Sequence, residues 1–498
     1  MKDKLAKGVV WLGGAKVLVN LLALSSALVL ARLLTPEDFG LVAIATTLLA
    51  IVSAMSELSL AAALIHHKDP TDAHFHTAWT LNALRAILIG GLFCASAPFV
   101  ASFYKDDRLL VVIVVLGLSV VLSGFGNPKV VVRTRNLEFW QEFVVTVAQK
   151  LSGFVISVAL AVIYKSYWAL LGGTLASQVT GVLVSYLIYP YRPRFAVKHI
   201  KELWSFSIWL TLGQAISTLN WKLDHLLVGV YLGPQALGTY TVGDNLAGMP
   251  TRETTGPIRQ ALFPGFRTVA HNEMQLRRAY LRAQALISAI ALPAGFCCAV
   301  LAKPLVLLVL GPKWLNSVLV VQVLACVFAL QTMSSTVQPL ALAKGETQLL
   351  FKRDLFNFCL RVPIIVAGML LGGLSGIIYA RMVSSLIGNT IEMRLVKRLI
   401  GLPLLQQLRN SMRSLVSVLV MSLCLLAAMR IDWAHTGWAA EVLWLVGMIG
   451  AGLAVYLASH FALWFAAARP IGPETDLMHM VGKILTKLSI RSGERRME

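Results

Sequence analysis

Residues 209–266 read WLTLGQAISTLNWKLDHLLVGVYLGPQALGTYTVGDNLAGMPTRETTGPIRQALFPGF. Two apolar stretches flank a Leu-Gly-Pro turn, as in a pair of bilayer-crossing helices. The pair nonetheless carries Asn220, Lys222, Asp224, His225, Asp244, Arg252, Glu253 and Arg259. A charged side chain at mid-bilayer costs roughly 2.5–3.5 kcal/mol on insertion scales. This density predicts a hairpin that lines a polar, water-filled interior and does not face lipid.

The rest of the chain supplies the bilayer context. Of its 498 residues, 57% are hydrophobic and 14% charged, with a mean hydropathy of +0.73. Soluble proteins carry about 25% charged residues. Apolar runs of about 20 residues recur from end to end, the length a spanning helix needs. The expected fold is an all-α polytopic membrane protein of about 14 transmembrane helices. They are placed near 9–34, 39–65, 78–103, 109–132, 144–164, 167–190, 206–232, 236–263, 279–302, 315–343, 354–372, 374–393, 414–430 and 438–468. The basic start and first apolar run are too long for a signal peptide and read as an uncleaved helix.

Net charge is +20, which in a soluble protein would suggest nucleic acid. Here its distribution gives another reason. With the N-terminus inside, only Arg32, Lys105, Arg108, Lys165, Lys303, Lys313 and Arg430 fall in outer loops. Lys16, Arg85, Lys150, Lys222, Arg252, Arg259, Arg361 and Arg381 fall within helices. Every other Lys and Arg lies in an inner loop or tail, as the positive-inside rule requires. Both termini are therefore expected in the cytoplasm, with no nucleic-acid partner. The outer loops are short, so no external domain is expected to hold an acceptor or a catalytic site. Trp11, Trp79, Trp168, Trp204, Trp433 and Trp438 sit near predicted helix ends, as interfacial anchors do. The six cysteines lie in or beside apolar runs without CxxC spacing, and read as packing residues. His66, His67, His74 and His76 crowd the first inner loop, where a solvated loop is expected and a metal site is not. No metal or cofactor is expected elsewhere.

The opening hairpin has an echo. Shifted by 198 residues without gaps, Trp11 falls on Trp209, Leu34 on Leu232, Pro36 on Pro234 and Gly40 on Gly238. Pro98 and Pro293 give a weaker echo. The repeat starts at helices one and seven, so both copies enter from the same side, as parallel pseudo-repeats do. The expected organisation is an N-lobe over 1–190 (helices one to six) and a C-lobe over 191–400 (helices seven to twelve). Helices thirteen and fourteen occupy 401–470, and 471–498 form a basic cytoplasmic tail. Leu477, Val481, Ile484 and Leu488 in that tail fit either an amphipathic helix on the inner leaflet or a solvated segment.

The segments LARLLTPEDFGLVAIATTL and LDHLLVGVYLGPQALGTYTVGDNL, with the proline-rich helix that follows, closely resemble the polysaccharide-transporter branch of the multidrug/oligosaccharidyl-lipid/polysaccharide (MOP) exporter superfamily, the Wzx-type flippases. The resemblance covers nearly the whole chain in length, helix number and repeat. It implies an undecaprenyl-diphosphate-linked oligosaccharide as substrate. That substrate would be turned from the inner to the outer leaflet of the bacterial inner membrane by alternating access, for capsule, exopolysaccharide or O-antigen assembly. It also implies membrane lipids and a polysaccharide polymerase or export machinery as partners, and no enzymatic activity.

A diphosphate needs cations and sugars need hydrogen-bonding groups. Asn245, Gly248, Arg252, Gly256 and Arg259 share one helical face. Arginine's planar fork suits phosphate oxygens. Arg252, Arg259 and Lys16 are therefore the diphosphate candidates. Asn20, Glu57, Arg85, Gln214, Asn220, Lys222, Asp224, His225, Asp244 and Asn245 are candidates for the polar cavity or for coupling. Helices ten to twelve add Gln331, Gln338, Asp354, Asn357, Arg361, Arg381, Asn389 and Glu392. The plainer reading pairs these charges with each other, Arg252 or Arg259 with Asp224, Asp244 or Glu57. Arg361 and Arg381, near predicted helix ends, read as snorkelling. Pro250, Pro257 and Pro264 suggest a bent or partly unwound eighth helix. Alternatives are a cation-coupled drug exporter of the same superfamily, which the absence of an acid in helix one disfavours, and a peptidoglycan-precursor flippase. A membrane glycosyl ligase or polymerase would need a larger outer loop.

Overall fold

The computed structural model describes residues 18–20, 22–23, 25–56, 71–130, 140–196, 208–431, 437–467 and 474. Among them there is no strand, and fourteen helices carry the chain. In order they are α1 (Leu18–Leu33), α2 (Pro36–Ser56), α3 (Asp72–Tyr104), α4 (Arg108–Gly124), α5 (Trp140–Tyr164), α6 (Trp168–Ile188) and α7 (Ile208–Val269). Then follow α8 (Glu273–Val300), α9 (Ala302–Val309), α10 (Ser317–Gln331), α11 (Val337–Ala343), α12 (Thr347–Ile400), α13 (Leu404–Ala428) and α14 (Trp438–Ala466). Among the described residues nine spans are long and apolar enough to cross a membrane, α10 and α11 counting as one. The α7 hairpin is not one of them. This is an all-helical, multi-pass membrane protein.

Two of the longest helices are hairpins. In α7 the only break is Gly233, at φ 81° and ψ −179°, a backbone conformation that favours glycine. The Tyr240 hydroxyl donates to Asp224 Oδ2 at 3.0 Å. Sixteen residues of straight helix would hold them about 24 Å apart, so the chain reverses at the Leu-Gly-Pro turn. In α12 the break is Gly372–Gly373, with Gly373 at φ 55°. Its arms meet at Gly368 and Gly376, where an added Cβ would overlap the facing backbone. Small residues at such crossings let membrane helices approach closely.

Two compact units are present, Met1–Val242 with Val309–Trp314, and Gly243–Leu308 with Leu315–Glu498. In the first unit α3 packs on α4 and α5 on α6. A Cβ on Gly40 would fall inside the Pro234 carbonyl, and one on Gly238 inside the Pro36 carbonyl. These are the positions that the repeat makes equivalent. The contact is reciprocal, i to j and j to i, the signature of a two-fold arrangement.

The turn before α2 gathers the outer loops of this unit, inner and outer being named by the charge asymmetry. Thr35 and Asp38 close a capping pair, Thr35 N and Oγ1 donating to Asp38 Oδ2 at 3.0 and 2.6 Å. Asp38 Oδ1 accepts from Tyr167 N at 3.0 Å. Arg108 bridges Glu37 and Asp106 at 2.5 and 2.8 Å, and its hydrogen bond holds the Asp106 carboxyl below the usual carboxylate range. Lys313 Nζ donates to Arg32 O at 2.9 Å, and buried Trp314 donates to Ala31 O at 2.8 Å. The last carbonyls of α1 thus meet a cation, as the helix dipole favours.

In the second unit α8 is the central post, packed by α10, α13 and α14. Leu292, Ala329, Val418, Met421, Leu425 and Tyr456 form one core. Polar contacts join the same helices. The Ser288 and Ser411 hydroxyls are 3.2 Å apart, and Tyr456 donates to Ala289 O at 2.9 Å. Interhelical hydrogen bonds in membranes contribute about 0.6 kcal/mol each, so close packing carries most of the association. The end of α12 is closed by Gly401 at φ 64°, with Arg277 and Lys344 donating to the carbonyls of Ile400 and Leu399.

Four expectations change. Of the bend or partial unwinding expected for the second arm of α7, the unwinding is absent: the arm stays helical through Pro250, Pro257 and Pro264. Threonine hydroxyls in that stretch bond nearby carbonyls, Thr254 to Pro250 O and Thr255 to Thr251 O at 2.7 Å each. Trp79 is not an interfacial anchor: it is buried and donates to the Tyr186 hydroxyl at 3.0 Å. His74 and His76 are not solvated. His74 completes the capping box of α3 with Thr71, and His76 Nδ1 lies 2.6 Å from the Tyr191 hydroxyl. Trp168 and Trp438 are exposed, as anchors are, whereas His66, His67, Trp11, Trp204 and Trp433 lie outside the described residues.

The Pro/Gly crossing gives a direct test. Gly40→Ala and Gly238→Ala should each destabilise the purified protein by about 1–3 kcal/mol, the usual cost of overpacking, read as a lowered Tm. Gly91→Ala and Gly447→Ala, where a Cβ meets nothing within 4 Å, should leave Tm unchanged.

Candidate functional site

The second arm of α7 carries Asp244 about 16 Å from the Gly233 turn, at 1.5 Å per residue. That depth is near the middle of a hydrocarbon core of about 30 Å. A lone carboxylate there would be costly. Arg381, from the second arm of α12, meets it: Nη1 donates to Asp244 Oδ1 at 2.8 Å. Arg381 is only 2% exposed. Its guanidinium does not snorkel, because an acid at matching depth holds it inside.

Arg252 approaches the same carboxylate more loosely. Its Nη2 lies 3.7 Å from Asp244 Oδ2 and donates to the Asp244 main-chain carbonyl at 3.4 Å. The side chain is half exposed. Gly248, one turn back, leaves room for the guanidinium; a Cβ there would overlap Arg252 itself. Phe328 of α10 meets both arginines, its ring centroid 5.3 Å from Arg252 Cζ and 5.2 Å from Arg381 Cζ. Cation–π contacts of this kind contribute about 0.5–2 kcal/mol depending on desolvation. The result is one acid firmly committed to a buried arginine, and a second arginine that is oriented but open to solvent.

Arg259, two turns further along α7, is exposed, and no hydrogen bond or ion pair holds it among the described residues. Asn245 is also exposed. At the ends of α10 and α12, Arg353 contacts Asp354 at 2.7 Å and Glu392 at 3.8 Å, Gln331 donates to Ser385 at 2.8 Å, and Asn389 donates to Leu330 O at 2.9 Å.

The first unit holds a separate set. Asp224 and His225 are buried beside Tyr240, whose ring meets His225 edge-on at 5.2 Å. Asn220 and Lys222 are half-buried on the same arm. Arg85 of α3 donates to Ser53 O at 3.3 Å, and Asn20 is half-buried in α1. Lys16, Glu57 and the Gln214 side chain lie outside the described residues.

The structure therefore brings Arg252 and Asp244 together, joins to them Arg381, which was expected to snorkel, and adds Phe328. The signal for Arg381 was present. Gly373 sets its depth as Gly233 sets that of Asp244. Phe328 carried no signal, being one aromatic in an apolar run.

A family model for a polysaccharide biosynthesis protein matches residues 29–319. The chain belongs to that family. It is 26% identical over 395 residues to the lipopolysaccharide biosynthesis protein WzxC of Escherichia coli (strain K12), covering 78% of this chain and 80% of that one. It is 24% identical over 403 residues to the succinoglycan biosynthesis transport protein ExoT of Rhizobium meliloti (strain 1021), covering 79% and 80%. Among solved structures, the lipid II flippase MurJ in an inward closed conformation superposes with a TM-score of 0.73 at 13% identity, covering 93% of this chain and all of that one. An inward-facing multidrug transporter of the MATE family gives 0.53 at 15% identity, covering 76% and 94%. The fold of this family member is thus of the MurJ and MATE kind.

The buried pair makes a specific prediction. Breaking a buried ion pair from one side costs about 3–5 kcal/mol, because a charge is left unpaired. Asp244→Leu and Arg381→Met should each lower Tm strongly, and the double variant should recover most of the loss. Additive losses in the double variant would refute the pairing.

Proposed function

We propose that this protein is a flippase for an undecaprenyl-diphosphate-linked oligosaccharide. It moves that substrate from the inner to the outer leaflet of the bacterial inner membrane for capsule, exopolysaccharide or O-antigen assembly. The chain is built as two six-helix pseudo-repeats with two appended helices, both termini are cytoplasmic, and transport proceeds by alternating access. The observation that carries the reading is the half-exposed Arg252 on a braced mid-bilayer frame, in a chain of the polysaccharide biosynthesis family.

Arg252 is the first diphosphate ligand. Asp244 and Phe328 orient it without neutralising it, since the carboxylate is committed to Arg381. Arginine presents two parallel N–H groups to phosphate oxygens, a charge-assisted geometry about twice as strong as a neutral hydrogen bond. Arg259, about 10 Å along the same helix face, supplies a second cation, and Lys16 of the first helix a third. Asn20, Asn220, Lys222 and Asn245 offer donors and acceptors for sugar hydroxyls. Asp224 with His225, together with Glu57 and Arg85, are the candidates for coupling. The flippase acts with a polymerase or export machinery that takes its product, and chemistry on the substrate belongs to those partners.

Two experiments test this. Deleting the protein in its host should accumulate lipid-linked oligosaccharide in the cytoplasmic leaflet while surface polymer disappears. Unchanged polymer with altered drug tolerance would point instead to the drug-exporter alternative, and lysis with accumulated peptidoglycan precursor to a precursor flippase. Within the site, Arg252→Ala and Arg259→Ala should lower transport at least about tenfold, the loss of a charge-assisted hydrogen bond, at normal membrane abundance. Gly248→Ala should lower transport as well, by displacing only the Arg252 guanidinium. Full transport by Arg252→Ala would remove its phosphate role.

A further inference from the structure

The inner ends of α13 and α14 hold charges that the transport reading does not use. Glu474, from the tail, is 3% exposed. Its Oε1 accepts a hydrogen bond from Arg413 Nη1 at 2.6 Å and lies 3.0 Å from His460 Nε2. Tyr456 stacks on His460 with ring centroids 5.4 Å apart and forms a wall. Glu474 Oε2 and both ring nitrogens of His460 are buried with no hydrogen-bond partner among the described residues, so the Nε2 approach is a close contact and not an aligned hydrogen bond. Burial works to raise the Glu474 carboxyl, but His460, the residue's own backbone and Arg413 outweigh it and hold the group below the usual carboxylate range. A lowered carboxyl stabilises the fold above its ordinary pKa, about 4.3, and loses that contribution as pH falls through the lowered value. The pairing therefore persists at neutral pH.

The fit is incomplete. Two groups fixed on neighbouring helices converge on one carboxylate oxygen, and the other oxygen has no side-chain donor among the described residues. A phosphate has more acceptor oxygens and more charge to place between an arginine and an imidazole. The depth also suits a headgroup. Arg413 precedes the apolar run of α13 that begins at Leu415, and His460 lies two turns from the end of α14. Beyond Glu474 the sequence carries Lys483, Lys487, Arg491, Arg495 and Arg496, charges of the kind that anionic lipid attracts.

We infer that Arg413 and His460 form an anion socket for the phosphate of an inner-leaflet lipid, and that Glu474 occupies it as a tethered competitor. No residue of the Arg252 site takes part, so the socket stands or falls apart from the transport reading. Native mass spectrometry of the purified full chain tests it, with dioctanoyl phosphatidylglycerol and farnesyl diphosphate as probes. Glu474→Ala should strengthen retention of a probe about tenfold, as expected when a mostly occupied site is made available. Arg413→Ala in that background should abolish the gain. A gain for phosphatidylglycerol identifies bulk anionic lipid as the source of the phosphate, and a gain for farnesyl diphosphate identifies a prenyl carrier. No gain for either probe, or a gain that survives Arg413→Ala, overturns the socket and leaves Glu474 a structural tie. If Glu474→Ala does not fold, hydrogen exchange on the unsubstituted chain decides. Either probe should raise exchange across residues 470–480, and unchanged exchange overturns the proposal.

Discussion

A carboxylate in the middle of a bilayer has to be answered by a cation, and Asp244 is answered by Arg381. Much of the second unit follows from that requirement. The pair fixes one arm of α7 against one arm of α12. It also places Phe328 where it faces both arginines. Because Arg381 takes the short bond, Arg252 is steered by the same acid yet keeps half its surface open. A structural ion pair and a ligand-ready cation need not be rival readings of one cluster. Here the first prepares the second.

A different constraint governs the outer end of the first unit. Proline starts a helix well because its missing N–H would be unsatisfied there anyway. Glycine four residues later removes the side chain that would keep a neighbour away. The sequence uses Pro-x-x-x-Gly twice, at Pro36 and at Pro234. Each glycine receives the other motif's proline carbonyl. The turn before α2 then ties in Tyr167, Arg108, Lys313 and Trp314. A repeat detected as letters thus corresponds to a symmetric physical contact.

These two constraints explain what could be read from the letters. Helix number and the turns at Gly233 and Gly373 were legible, because hydrocarbon thickness fixes helix length and only glycine suits the reversed backbone. The α7 hairpin was legible as too polar for lipid. The partner of Arg381 was not, since distance from a helix end says nothing about which acid lies opposite. Nor were the aromatic contacts around these charges. Phe328 and Tyr240 act through packing partners distant in sequence, and His74 and His76 turned inward through a cap and a tyrosine that spacing alone does not reveal. The helical second arm of α7 shows the same limit. Three prolines predict lost hydrogen bonds, but the surroundings decide whether the helix yields. The short α9 and the Lys313–Trp314 contacts sat inside what reads as one plain outer loop.

The proposed passage of a diphosphate-linked oligosaccharide across the bilayer by way of Arg252 is open to direct measurement. The most direct measurement is leaflet exchange of a prenyl-diphosphate oligosaccharide in proteoliposomes containing the purified protein, read by an outside-acting glycosidase. Protein-dependent exposure of the buried pool is expected, strongly reduced by Arg252→Ala. Exposure equal to that of empty liposomes, or unaffected by the substitution, would contradict it.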